Sequence, residues 1–130
     1  MAEKEFGVIS QAKNLAEHTF RITSNCNRCP KKYRFSLVDK MQNKALEIYE
    51  YLYEANRTNW ETCLEERSEL QTKAITHCDE LLFYIELSMK LDIINVKSME
   101  YWSKMVTDVK HMTIAWRTGD KKRLASNDSK

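Results

Sequence analysis

The run Leu64-Glu65-Glu66-Arg67-Ser68-Glu69-Leu70-Gln71-Thr72-Lys73-Ala74-Ile75-Thr76-His77-Cys78-Asp79-Glu80-Leu81-Leu82-Phe83-Tyr84-Ile85-Glu86-Leu87-Ser88-Met89-Lys90 contains neither glycine nor proline. Leu64, Gln71, Ala74, Cys78, Leu81, Ile85 and Met89 recur along it at helical spacing, with Leu70, Ile75 and Leu82 beside them. Such steps stack side chains on one face of a 3.6-residue helix. The opposite face is acidic, carrying Glu61, Glu65, Glu66 and Glu69. Thr58-Asn59-Trp60-Glu61 reads as the capping box that starts this helix, which runs to about Lys90.

Outward from this run, the chain stays free of turn formers. Only Gly7, Gly119 and Pro30 occur in the whole sequence, so nothing between Lys31 and Thr118 punctuates it. An all-β or α/β fold needs turn residues at short intervals and is disfavoured. Upstream, Leu37, Met41, Ala45, Ile48, Leu52 and Ala55 mark a second helix, which begins near Ser36 as its cap and ends near Asn56 or Arg57. Val8, Ala12, Leu15, Thr19 and Ile22 mark a first helix over about residues 7–24. Downstream, Asn95 is the expected cap of a fourth helix striped by Trp102, Met105, Val109, Met112 and Trp116, and Gly119 is its expected stop.

Each segment has an apolar stripe that must be covered, and the connections are short. An all-α, antiparallel, up-down-up-down four-helix bundle is the economical solution. It is expected to span residues 1–119 as one domain, with residues 120–130 a disordered, basic and polar tail. The length of 130 residues suits a single domain. The first and third loops then share one end of the bundle, and the second loop and both termini share the other. No apolar run approaches the roughly 18 residues of a membrane span. The start, Met1-Ala2-Glu3-Lys4-Glu5-Phe6, is not a signal peptide, so a cytoplasmic protein that makes no membrane contact is expected.

The net charge of +2 hides a strong partition. Residues 25–44 are net +5, residues 45–100 net −7, and residues 101–130 net +4. Asymmetry of this kind suggests an anionic partner or self-association of unlike surfaces. Arg28-Cys29-Pro30-Lys31-Lys32-Tyr33-Arg34-Phe35 combines bases with aromatic rings. Lys and Arg release counterions from phosphates, and a ring can stack on a base. The plain alternative is a solvated turn whose Tyr33 and Phe35 pack on the bundle end.

Catalytic motifs are missing. Cys26-Asn27-Arg28-Cys29 has no second ligand pair for zinc and no βαβ setting for redox work. Cys63 and Cys78 read as small packing residues. Asp108-Val109-Lys110-His111 occurs once and has Asp in place of the Glu of a di-metal bundle motif. No Gly-rich phosphate loop exists. Neither an enzyme nor a cofactor or metal is expected.

The runs Pro30-Lys31-Lys32-Tyr33-Arg34-Phe35-Ser36-Leu37-Val38-Asp39-Lys40-Met41-Gln42, Ala45-Leu46-Glu47-Ile48 and Tyr53-Glu54-Ala55-Asn56 resemble the accessory variability determinant (Avd) proteins of diversity-generating retroelements. Leu91-Asp92-Ile93-Ile94, Tyr101, the stretch from Val106 to Met112 and Trp116 extend the resemblance over about residues 8–117. That family is related to the bundle proteins encoded in intervening sequences of bacterial 23S rRNA genes. The resemblance implies a homopentameric barrel of four-helix bundles. It also implies a non-catalytic accessory role: binding the reverse transcriptase and template RNA, or DNA, to support mutagenic cDNA synthesis. Pro30 and Arg34 match the family's Pro-x-x-x-Arg element, with Lys31 and Lys32 as basic neighbours. Arg28, Lys40, Lys44, Arg117, Lys121, Lys122 and Arg123 join them as candidate contacts on charge alone. The alternative is a 23S rRNA intervening-sequence-type bundle with a self-assembly or unknown role.

Overall fold

A computed structural model describes residues 6–24 and 31–128. Four helices carry the fold: α1 (Gly7–Ser24), α2 (Asp39–Arg57), α3 (Leu64–Lys90) and α4 (Val96–Asp128). No strand occurs among the described residues. Cross-helix bonds fix an up-down-up-down order. Gln42 Nε2–H donates to Thr23 Oγ1, Ser88 Oγ–H to Met41 Sδ, and Trp102 Nε1–H to Thr19 Oγ1. Lys110 meets Asp79.

The core follows the expected stripes of α1, α2 and α3 closely and that of α4 only in part, and its largest fully buried side chain is Trp102. Trp102 is fully buried, and its indole N–H reaches Thr19 Oγ1 at 3.0 Å. Thr19 Oγ1–H in turn donates to the Leu15 carbonyl at 2.8 Å, so this buried polar pair is satisfied. Leu15, Met41, Ile48, Leu52, Leu81 and Ile85 are fully buried in the same core.

Several boundaries differ from the sequence expectation. The second helical run begins at Lys31, with a 3-10 turn (Lys31–Tyr33) and a π turn (Arg34–Val38) leading into α2. Ser36 lies exposed inside that π turn and caps nothing, because Leu37 and Val38 are drawn into the core and wind the chain early. The capping-box stretch forms an Asx turn instead of starting α3. Asn59 Oδ1 accepts from the Glu61 and Thr62 N–H groups, while Thr58 Oγ1–H donates back to the Glu54 carbonyl. Asn95 does cap α4, accepting from the Ser98 N–H at 2.8 Å.

The α3–α4 connection is a Schellman turn. The Ile93 N–H donates to the Ser88 carbonyl and the Asp92 N–H to the Met89 carbonyl. This places Asp92 at φ 61, the left-handed region that Asp tolerates better than most residues.

The largest difference is at the other end. α4 passes through Gly119 and continues to Asp128, so residues 120–128 are helical and not the unstructured tail expected for 120–130. Asp120 is 3% exposed and pairs with Arg67, which is 7% exposed. A buried carboxylate one residue beyond the glycine anchors the helix and overrides the stop signal. The buried side of α4 accordingly follows Trp102, Val106, Val109, Thr113 and Asp120, while Met112 is 37% exposed.

Candidate nucleic-acid interface

One end of the bundle is built by the turn into α2 and by the α3–α4 connection. Leu37 and Val38 are buried, and Tyr33 is half-buried against the core. With those three turned inward, Lys31, Lys32, Arg34, Phe35 and Ser36 face out. The Asp39 N–H reaches back five residues to the Arg34 carbonyl, the bond that defines the π turn. Lys40 is exposed one turn further on. Lys31, Lys32, Arg34 and Lys40 have no ion-pair partner among the described residues; Lys32 Nζ lies 5.0 Å from the Tyr33 ring. Lys97, at the start of α4, is also exposed and shares this end. Sequence reasoning passed over Lys97, although the shared end of the first and third loops was signal enough to include it.

The remaining candidates stand elsewhere. Arg28 lies outside the described residues, as do Cys26, Cys29 and Pro30. Lys44 sits on the α2–α3 face, where its ammonium is 3.3 Å from Glu80 and 3.3 Å from His77 Nδ1. His77 also meets Glu47 at 3.0 Å and stacks on Tyr51. The hydrogen bond from His77, and then Lys44, hold the Glu80 carboxyl below its ordinary value against a burial cost. Lys44 is therefore committed to an internal network.

Arg117, Lys121, Lys122 and Arg123 occupy the far end, about 38 Å along α4 from Val96 at ~1.5 Å per residue. Arg117 donates to Thr72 Oγ1 at 2.9 Å. The Arg123 guanidinium stacks 3.6 Å from the Trp60 ring centroid and reaches Asp120 at 3.4 Å. Lys121 and Lys122 are exposed, but Lys121 shares a surface groove with Glu65 and Glu69.

Below this surface lies a second polar centre that sequence reasoning missed. Arg67 Nε–H and Nη2–H donate to the two Asp120 oxygens at 2.7 and 3.1 Å. Arg67 Nη1–H donates to the Thr58 carbonyl at 3.0 Å, and Gln71 Nε2–H to Asp120 at 2.9 Å. Trp116 covers the guanidinium at 4.7 Å. The helical step from Leu64 through Arg67 to Gln71 was the available signal for burying Arg67. Phe6, Asn56, Trp116 and Gly119 wall a cleft of about 400 Å³ over this pair.

Reactive groups are few. Burial, then the neighbouring Asp79, push the Cys78 thiol up to about 12, so it stays protonated and packs as an apolar residue. Among the described residues no group of three or more His, Cys, Asp or Glu side chains can hold a metal ion. Asp108 is paired with Lys104, and Lys110 with Asp79. Among the same residues, no helix is long and apolar enough to cross a membrane.

No family model matches this chain, and no curated protein matches its sequence. Among solved structures, a protein of unknown function from the S23 ribosomal protein family of Bacteroides thetaiotaomicron superposes with a TM-score of 0.74. The alignment covers 85% of this chain and 97% of that one at 13% identity. The two chains share a fold. The likeness to the S23-family protein spans nearly all of that protein, so the four-helix architecture is common to both.

Proposed function

We propose that this protein is a non-catalytic accessory bundle of a diversity-generating retroelement, which binds template RNA and the reverse transcriptase and orients one against the other. The observation that carries the reading is the cluster of Lys31, Lys32, Arg34 and Lys40, exposed at one end and free of ion-pair partners among the described residues. Unpaired cations on a rigid end gain affinity from counterion release without first breaking internal bonds. The resemblance of residues 30–56 to Avd proteins supplies the polymerase and the homopentamer as partners.

The test is a titration of RNA into the purified protein at two salt concentrations. The K31E/K32E/R34E variant is expected to lose RNA binding while circular dichroism stays unchanged. Parent-like affinity in that variant rejects these contacts. Co-purification with a reverse transcriptase encoded beside the gene tests the second partner.

The S23-family fold favours a second reading, an intervening-sequence-type bundle that self-assembles. Neighbouring DNA separates the two. A reverse transcriptase gene with paired template and variable repeats belongs to the first reading, and an interrupted 23S rRNA gene to the second.

A further inference from the structure

Among the described residues, eight large aromatic or aliphatic side chains besides Phe35 and Met112 are more than a third exposed, yet Phe35 stands apart at 80%. Tyr101, at 61%, has His18 edge-on at 5.1 Å, and Phe83, at 57%, has Tyr84 at 5.7 Å. Phe35 has neither a ring nor a cation against it among the described residues. Tyr33, two residues earlier, is the opposite case: half-buried on the core and covered by Lys32. Neither face of the Phe35 ring is covered by a ring or cation of the described residues, and its neighbours in sequence Lys31, Lys32 and Arg34 are exposed as well.

An open aromatic face beside phosphate-binding cations is the arrangement that takes a single-stranded base. Cations hold the backbone, and the ring stacks on whichever base is presented. A duplex cannot use such a ring, because its bases are already stacked inside the helix and it offers chiefly phosphates, sugars and groove edges. We propose that Phe35 is a stacking platform for an unpaired base, so that the basic end selects single-stranded over double-stranded RNA. The inference rests on the RNA-binding reading above and adds to it the form of RNA recognised.

The probes are a short oligouridine and a blunt-ended RNA duplex of equal charge. The parent protein binds the oligouridine more tightly than the duplex. Phe35→Ala weakens oligouridine binding roughly 5- to 150-fold, the range for losing one stacked base. It leaves the duplex affinity, the salt dependence, the thermal midpoint and the mass by light scattering unchanged. Phe35→Trp retains the preference. The K31E/K32E/R34E variant instead weakens both probes and flattens the salt dependence, by about 0.7 in logarithmic slope per lost phosphate contact on the single strand. Equal oligouridine affinity in Phe35→Ala and parent overturns the stacking platform while the RNA-binding reading stands. A changed mass with unchanged affinity assigns Phe35 to a contact between copies and also overturns it. Parent protein that binds neither probe removes the RNA-binding reading, and the platform with it.

Discussion

The two ends of this bundle use their arginines in opposite ways. At the end formed by residues 31–40, Lys and Arg project into solvent with no carboxylate partner among the described residues. At the other end Arg67, Arg117 and Arg123 are taken up by Asp120, Thr72 and Trp60. The contrast teaches that charge counted along a chain is not charge available to a ligand. A guanidinium clamped by a carboxylate has already exchanged its water for protein, and a polyanion would have to compete for it.

That contrast can be broken most directly by moving negative charge from one end to the other. K31E/K32E/R34E is expected to abolish measurable RNA binding, whereas K121E/K122E changes affinity only a few-fold. Equal losses in electrophoretic shift assays would erase the distinction between the ends. The next largest effect concerns stability. Asp120→Ala leaves the Arg67 guanidinium buried without its partner and costs about 3–5 kcal/mol. The check is urea unfolding, where Asp120→Ala combined with Arg67→Met recovers most of that loss. RNA affinity of the folded fraction stays as in the parent.

A smaller effect is pH-dependent. Burial lowers the His18 pKa below its ordinary 6.5, and beside Trp102 and Tyr101 its Nε2 has no hydrogen-bond partner among the described residues. The unfolded chain therefore takes the proton first, so stability present above about pH 6.5 falls as the pH drops below it. His18→Gln removes that part of the slope in unfolding midpoints measured from pH 7.5 to 5. The smallest effect is at Asp92, where a left-handed backbone in a non-glycine residue costs about 1 kcal/mol. Asp92→Gly raises the unfolding free energy by up to that amount in urea unfolding and leaves RNA affinity unchanged.

Most of the architecture was legible in the sequence, because apolar spacing alone decides which face of a helix is covered. The bounds of α1, the end of α3 at Lys90 and the Asn95 cap of α4 rest on such local signals. The passage through Gly119 was not legible, since its cause is a partner in α3, 53 residues away in sequence. The early start of the second helical run was hidden for a similar reason: Leu37 and Val38 bury against other helices, and no local cap announces it. At the basic end, the cluster could be read from charge. Which of two nearby rings packs and which stays open could not, because Tyr33 and Phe35 differ only in how the 3-10 and π turns rotate them.

The unbroken course of α4 from Val96 to Asp128 makes the two ends parts of one rod, about 50 Å long at ~1.5 Å per residue. Pinned near its start by Trp102, towards its middle by Val109 and nearer its far end by the Arg67–Asp120 clasp, the rod has no hinge at which to absorb a local twist. Any tilt that a bound partner imposes near Lys97 must reappear as a displacement at Lys121. Fluorophores attached at those two exposed positions would keep both their separation and their mutual orientation when a partner binds.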